Sequence, residues 1–176
     1  MRIAKSPKVI RKYVTALLME SGINEPPIPV EMIAKSLGAT VRYSPFLQGD
    51  LAGMLIRADG HAVIGVNSLD HPNRQRFTIA HECGHLLLHK GKKAVYIDRD
   101  FRINRRDGVS SLAVNSDEIE ANRFAAELLI PYSMITADLT QSSIDIENEV
   151  EFKRLARRYQ VSVQAMTHRI TNLLGF

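Results

Sequence analysis

Phe77-Thr78-Ile79-Ala80-His81-Glu82-Cys83-Gly84-His85-Leu86-Leu87-Leu88-His89 is the run that decides how the rest of the chain reads. No proline interrupts it, and Phe77, Ala80, Gly84, Leu87 and Leu88 recur at helical spacing as one apolar stripe. In a helix, residues four apart sit on one face, one turn or ~6 Å up the axis. His81 and His85 can therefore present imidazole nitrogens to a single metal ion. Glu82, one step round, reaches the edge of the same site without being a ligand. That is the HExxH arrangement of zinc hydrolases, with two ligands and a general base. His89 continues the spacing but lies ~12 Å of helix rise from His81, too far to share one metal with it. It reads as a helix-end residue or an outer group of the site.

A catalytic zinc needs a third protein ligand and one position left open for water. The stretch Ser116-Asp117-Glu118-Ile119-Glu120-Ala121-Asn122-Arg123-Phe124-Ala125-Ala126-Glu127 offers two nearby carboxylates, and helix geometry separates them. Glu118, Ala121, Asn122 and Ala125 share a face of small residues, which would let this helix approach another backbone closely. Glu120, Arg123 and Glu127 share a different face, where mixed charges suit solvent. Glu118 is therefore the expected third ligand, and Glu120 is placed in a surface ion cluster. Asn122, one turn beyond Glu118, is positioned to hold a ligating histidine through its other ring nitrogen.

At 176 residues the chain can bury one core plus an appendage. No stretch approaches the roughly 20 apolar residues of a membrane span, and Met1-Arg2-Ile3-Ala4-Lys5 has no apolar signal core. A single cysteine excludes an internal disulfide and suits a reducing cytoplasm. Cys83 reads as a small packing residue with no redox role. The net charge of +4 is uneven: residues 1–12 carry five Lys/Arg and no acid, and residues 90–106 carry seven against Asp98 and Asp100. Solvated loop charge explains such segments more simply than nucleic-acid binding.

Ahead of the metal helix the spacing predicts a helix from Ser6-Pro7 to Gly22, with Ser6 as cap, and a short one over Val30–Leu37 ending at Gly38. The period then changes to two, giving strands at Thr40–Tyr43, Leu51–Arg57 and His61–Asn67, the last two joined by a tight turn. The strand ending at Asn67 is read as a sheet edge on which an extended substrate could pair. Beyond the metal helix come a possible strand at Ala94–Ile97, helices at Asp117–Ile130 and Tyr132–Leu139, and a linker at Thr140–Ile146. Two final helices lie near Asn148–Gln160 and Val163–Leu174, and Ser162 can cap the second. Leu155-Ala156-x-x-Tyr159-x-Val161-Ser162 followed by Met166 and Ile170 is similar to a helix-turn-helix, with Gln160 where a glycine is expected. The second of these helices carries only His168 and Arg169 as cations, so packing or repressor docking is favoured over direct DNA reading.

Taken together, Arg74 to His89 and Glu118 to Pro131 resemble the ImmA/IrrE family of zincin-type metallopeptidases. The strand Val63–Asn67 and the segment Pro29–Gly38 fit the same family. The resemblance implies an α+β, zincin-like domain, with a small antiparallel or mixed sheet packed on the HExxH helix, over residues 1–140. A helical, helix-turn-helix-like subdomain over 141–176 would follow. It implies one Zn2+ held by His81, His85 and Glu118, and cytoplasmic endoproteolysis of a helix-turn-helix repressor. In that mechanism zinc acidifies a water towards a pKa of ~7 and Glu82 takes its proton. An additional donor would steady the oxyanion; Tyr96, Tyr132, His71, Arg74 and Arg76 are all candidates. The competing reading is a DNA- or repressor-binding regulator, or an antitoxin-like module, on the same scaffold without proteolysis.

Overall fold

The computed structural model describes residues 4–46, 51–58, 60–89, 95–99, 116–141 and 149–175. The first helix, α1 (Pro7–Glu20), opens with a proline whose missing N–H costs nothing in the first turn. Ser6 stands at its cap position, but its side chain makes no capping bond. Ile10, Val14, Leu17 and Leu18 form the buried stripe, and Gly22 ends the helix at φ +67°. The second helix, α2 (Val30–Ser36), buries Val30, Ile33 and Ala34.

Three strands follow, β1 (Ala39–Ser44), β2 (Leu51–Ala58) and β3 (His61–Asn67), with Ala58 opposite His61 at the β2–β3 turn. A fourth, β4 (Val95–Arg99), lies slightly downstream of the expected Ala94–Ile97. The sheet order is β1-β3-β2-β4; β1 runs parallel to β3, and β2 is antiparallel to both its neighbours. This corrects one expectation. The strand ending at Asn67 is interior, because β2 pairs along one side and β1 along the other, from Ala39↔Ala62 to Ser44↔Asn67. No free edge remains there for a substrate.

The metal-helix run lies in α3 (Pro72–Leu88), which crosses the sheet face carrying Leu55, Ile64 and Val66. A Cβ on Gly53 of β2 would stand 2.2 Å from Thr78 Cγ2, so only glycine admits this approach. The remaining helices are α4 (Ser116–Leu129), α5 (Tyr132–Gln141), α6 (Glu149–Tyr159) and α7 (Val163–Leu174). Pro131 separates α4 from α5. Thr140 and Gln141 continue α5, and the rest of the expected linker, 142–146, lies outside the described residues.

Between α6 and α7, Gln160 adopts φ 52°, the left-handed conformation for which a glycine was expected. Ser162 Oγ caps α7 by accepting from Ala165 N at 3.1 Å. This pair is not a free appendage: Leu155, Ala156, Tyr159, Met166 and Ile170 join the same hydrophobic core as α1, α3 and α4. Polar ties reinforce the seam. Tyr159 O–H donates to Asp138 at 2.8 Å, Arg169 pairs with Glu127 and donates to Ile130 O, and Arg76 donates to both Ile28 O and Gln160 O. Among the described residues, no helix is long and apolar enough to cross a membrane.

Candidate metal centre

The centre exists because α3 and α4 meet at almost bare backbone. A Cβ on Gly84 would lie 3.0 Å from Ala121 Cα and 3.2 Å from Phe124 Cβ, so a glycine on α3 faces an alanine on α4. This contact brings Glu118 over the imidazoles of His81 and His85. Glu118 Oε2 is 3.3 Å from His81 Nε2 and 3.4 Å from His85 Nε2, and the two Nε2 atoms are 3.0 Å apart. Donors about 2.0–2.1 Å from a tetrahedral ion stand about 3.3 Å from one another, so these three side chains could hold one metal ion. Two neutral nitrogens and one carboxylate are also the donor chemistry of zinc and of several other divalent ions.

The local electrostatics suit that role. Burial would raise the pKa of Glu118, but the imidazoles of His81 and His85 beside it outweigh this and hold it well below the usual carboxylate range. Burial lowers the pKa of His85, with His81 adding to the effect, so the neutral imidazole with an available lone pair is favoured. Glu82, beside His81, is fully buried. Burial, assisted by Glu82, raises the Cys83 thiol far above its ordinary value, which leaves it an inert packing group.

Both imidazoles are held from behind. Asn122 Oδ1 is 3.1 Å from His81 Nδ1, the contact anticipated from the spacing of Glu118 and Asn122. His85 Nδ1 is 3.0 Å from Nδ1 of His89, which occupies the C-cap position of α3 and is wholly buried. His89 is thus helix end and outer group at once. Its Nε2 lies 3.1 Å from Glu120 Oε2, and Glu120 also accepts from Lys5 N at 2.9 Å and Lys5 Nζ at 2.6 Å.

Glu120 is therefore not in a surface cluster; it is fully buried. The face pattern of α4 suggested solvent, but the segment leading into α1 covers that face, and Arg123 Nη1 donates to Lys5 O at 3.0 Å. Glu127 is buried too, accepting from Tyr132 N and pairing with Arg169 and with Arg11. A partner 115 positions away leaves no local signal in the sequence.

The candidate oxyanion donors are scattered. Tyr96 lies in β4 opposite Leu55, and its side chain is outside the described residues. Tyr132 stacks under the Arg11 guanidinium, 3.6 Å from the ring centre, at the start of α5 and so beyond the end of the helix that carries Glu118. His71 caps α3 by accepting from Asn73 N. Arg76 is committed to Ile28 O and Gln160 O. Arg74 pairs with Asp70, yet with His71 it lines a cleft that reaches the centre.

That cleft, about 1660 Å³, opens between α1, the first half of α3, α4 and the α6–α7 pair. It touches the metal site through Asn122, while none of the three donors lines it. Its lining is largely apolar and also includes Arg11, Arg74, Arg123, Lys153, Arg157 and Arg169. Among the described lining residues Glu127 is the one carboxylate. Sequence reading missed this feature because its cations are dispersed from position 11 to 169 and form no basic run.

The fold is similar to that of a Mycobacterium tuberculosis transcriptional regulator, with a TM-score of 0.61 at 17% identity. The likeness covers 92% of this chain and 46% of that one, so this chain spans less than half of that protein's length. No curated protein matches the sequence. A model of the IrrE N-terminal-like domain matches residues 34–171, and the chain accordingly belongs to the Peptidase_M78 family.

Proposed function

We propose that the chain is a zinc-dependent endopeptidase that acts in the cytoplasm on a helix-turn-helix repressor, relieving repression of a mobile element, prophage or stress operon. The observation that carries this reading is the convergence of His81 Nε2, His85 Nε2 and Glu118 Oε2, with Glu82 adjoining. A divalent metal held by His81, His85 and Glu118 would supply Lewis acidity for activating a water and polarising the scissile carbonyl. Glu82 is the carboxylate beside the site that would take up a water's proton and return it to the departing amide nitrogen. Asn122 keeps His81 turned with Nε2 toward the site.

The cleft supports a protein substrate. A largely apolar lining that also carries cations suits an amphipathic, acidic segment. A duplex would offer charge to the cations and nothing to the apolar surface. Incubation of the purified, zinc-loaded protein with the repressor encoded beside it tests the reading. A discrete cleavage abolished by chelation and restored by zinc is expected; an intact repressor under both conditions counts against proteolysis.

The second reading, a regulator that binds DNA or repressor without cutting, draws on the α6–turn–α7 arrangement. Its difficulty is that Arg169, one of two cations on α7, is spent on Glu127 and Ile130 O. A gel shift on operator DNA at two salt concentrations, without repressor, separates the two classes.

A further inference from the structure

Behind His85 runs a continuous buried chain of polar contacts that ends at the other extreme of the sequence. His85 Nδ1 meets His89 Nδ1 at 3.0 Å, His89 Nε2 meets Glu120 Oε2 at 3.1 Å, and Glu120 takes both N–H and Nζ of Lys5. His85, His89 and Glu120 are at most 1% exposed, so water does not complete these contacts from outside.

Each neutral imidazole has one N–H and one lone pair, so hydrogen bonds along such a chain can point in only one of two directions. The fixed end decides between them. Glu120, ion-paired to Lys5, is a carboxylate and accepts only. His89 must therefore carry its hydrogen on Nε2, which leaves Nδ1 as an acceptor. His85 must then donate from Nδ1, and its Nε2 is left with a bare lone pair aimed at His81 Nε2 and Glu118 Oε2. The opposite direction would set a lone pair of His89 against the carboxylate and put a hydrogen on the His85 nitrogen that faces the metal site.

We propose that His89, Glu120 and Lys5 are positioning residues that fix the tautomer and ring orientation of His85, so that metal affinity depends on the seating of the N-terminal segment against α4. The proposal rests on the reading of His81, His85 and Glu118 as metal ligands. It goes further in assigning work to residues that touch no metal, one of them on a different segment of the chain. Asn122 does the same for His81 from within α4 alone. The two ligating histidines are thus secured independently, one locally and one through the segment that precedes α1.

The test measures Zn2+ affinity by competition with a chromophoric chelator, and the visible spectrum of the Co2+ form, on the full chain. Wild type and the His81→Ala/His85→Ala variant establish whether the site is a metal site at all. His89→Phe keeps an aromatic ring but loses both contacts, and a 10–100-fold loss of Zn2+ affinity with an altered Co2+ spectrum is expected. His89→Gln retains one acceptor and one donor and should restore most of that loss, which a purely space-filling role would not predict. Lys5→Met, remote from the ligands and keeping the backbone N–H that Glu120 accepts from, should weaken Zn2+ binding in the same direction by a smaller factor. Wild-type affinity in both His89→Phe and Lys5→Met, with zinc bound stoichiometrically by wild type, overturns the proposal and leaves the metal site standing. Equal zinc in wild type and the double histidine variant overturns both.

Discussion

Gly84 and Ala121 meet with no side chain between them, and this contact sets the distance from which Glu118 reaches His81 and His85. Adding one methyl at Gly84 must push on Ala121 Cα, an atom of helix backbone that cannot rotate away. Gly84→Ala is therefore expected to cost about 1–3 kcal/mol by overpacking. It should also loosen metal binding, because the helices separate along the line joining the ligands. Thermal unfolding and zinc content of the purified variant check this; wild-type values for both would mean that α4 adjusts freely.

Glu82→Gln keeps the volume of the side chain and removes its proton-accepting oxygen. Cleavage should fall by about 10²–10⁴-fold while zinc content stays at the wild-type level. Undiminished cutting by this variant would assign the general base elsewhere.

Tyr159 gives a prediction at alkaline pH. Its burial, and the hydrogen bond it donates to Asp138, push the phenol well above its ordinary range. The neutral form is thus favoured in the folded protein. Its contribution is complete below the unfolded value, near 10, and declines above it by about 1.4 kcal/mol per pH unit. Urea unfolding at a series of pH values should show Tyr159→Phe losing less stability above pH ~10 than wild type does. Parallel curves would show that ionisation of Tyr159 is not linked to unfolding.

Arg169 is one of two cations on α7, and it turns inward to Glu127 and Ile130 O. Arg169→Ala leaves Glu127 with Arg11 at 3.6 Å as its remaining ion-pair partner among the described residues, and a loss of about 1.5–3 kcal/mol is expected from removing a bond to a buried charge. Duplex binding should be unaffected once unfolding is allowed for. Selective operator binding that vanishes in this variant, with stability unchanged, would transfer α7 to nucleic-acid recognition.

Much of this was legible because the decisive contacts are local or periodic. His81 and His85 are one turn apart, and the small residues of α4 announce a close approach, so the face that carries Glu118 could be chosen over the one that carries Glu120. The β2–β3 hairpin, the proline start of α1 and the glycine ends follow from turn chemistry. What escaped depends on long-range pairing. Glu120 and Glu127 sit among charges at spacings that normally mean solvent, and they are met in the interior by Lys5 and Arg169, 115 and 42 positions away. The interior place of β3 was hidden because β1 pairs with it in parallel, with all of β2 between them in sequence.

The ligand set is closed by one helix lying on another, and that has a bearing on lineage. The Gly84–Ala121 contact fixes the position of Glu118 over α3. A change in chain length outside the helices and strands costs only slowly growing loop entropy. A single-residue insertion between Glu118 and Ala121 is another matter. It would turn the carboxylate by ~100° relative to the contact face, a change no neighbouring adjustment could absorb. Descendants should therefore hardly differ in residue count from Glu118 to Phe124.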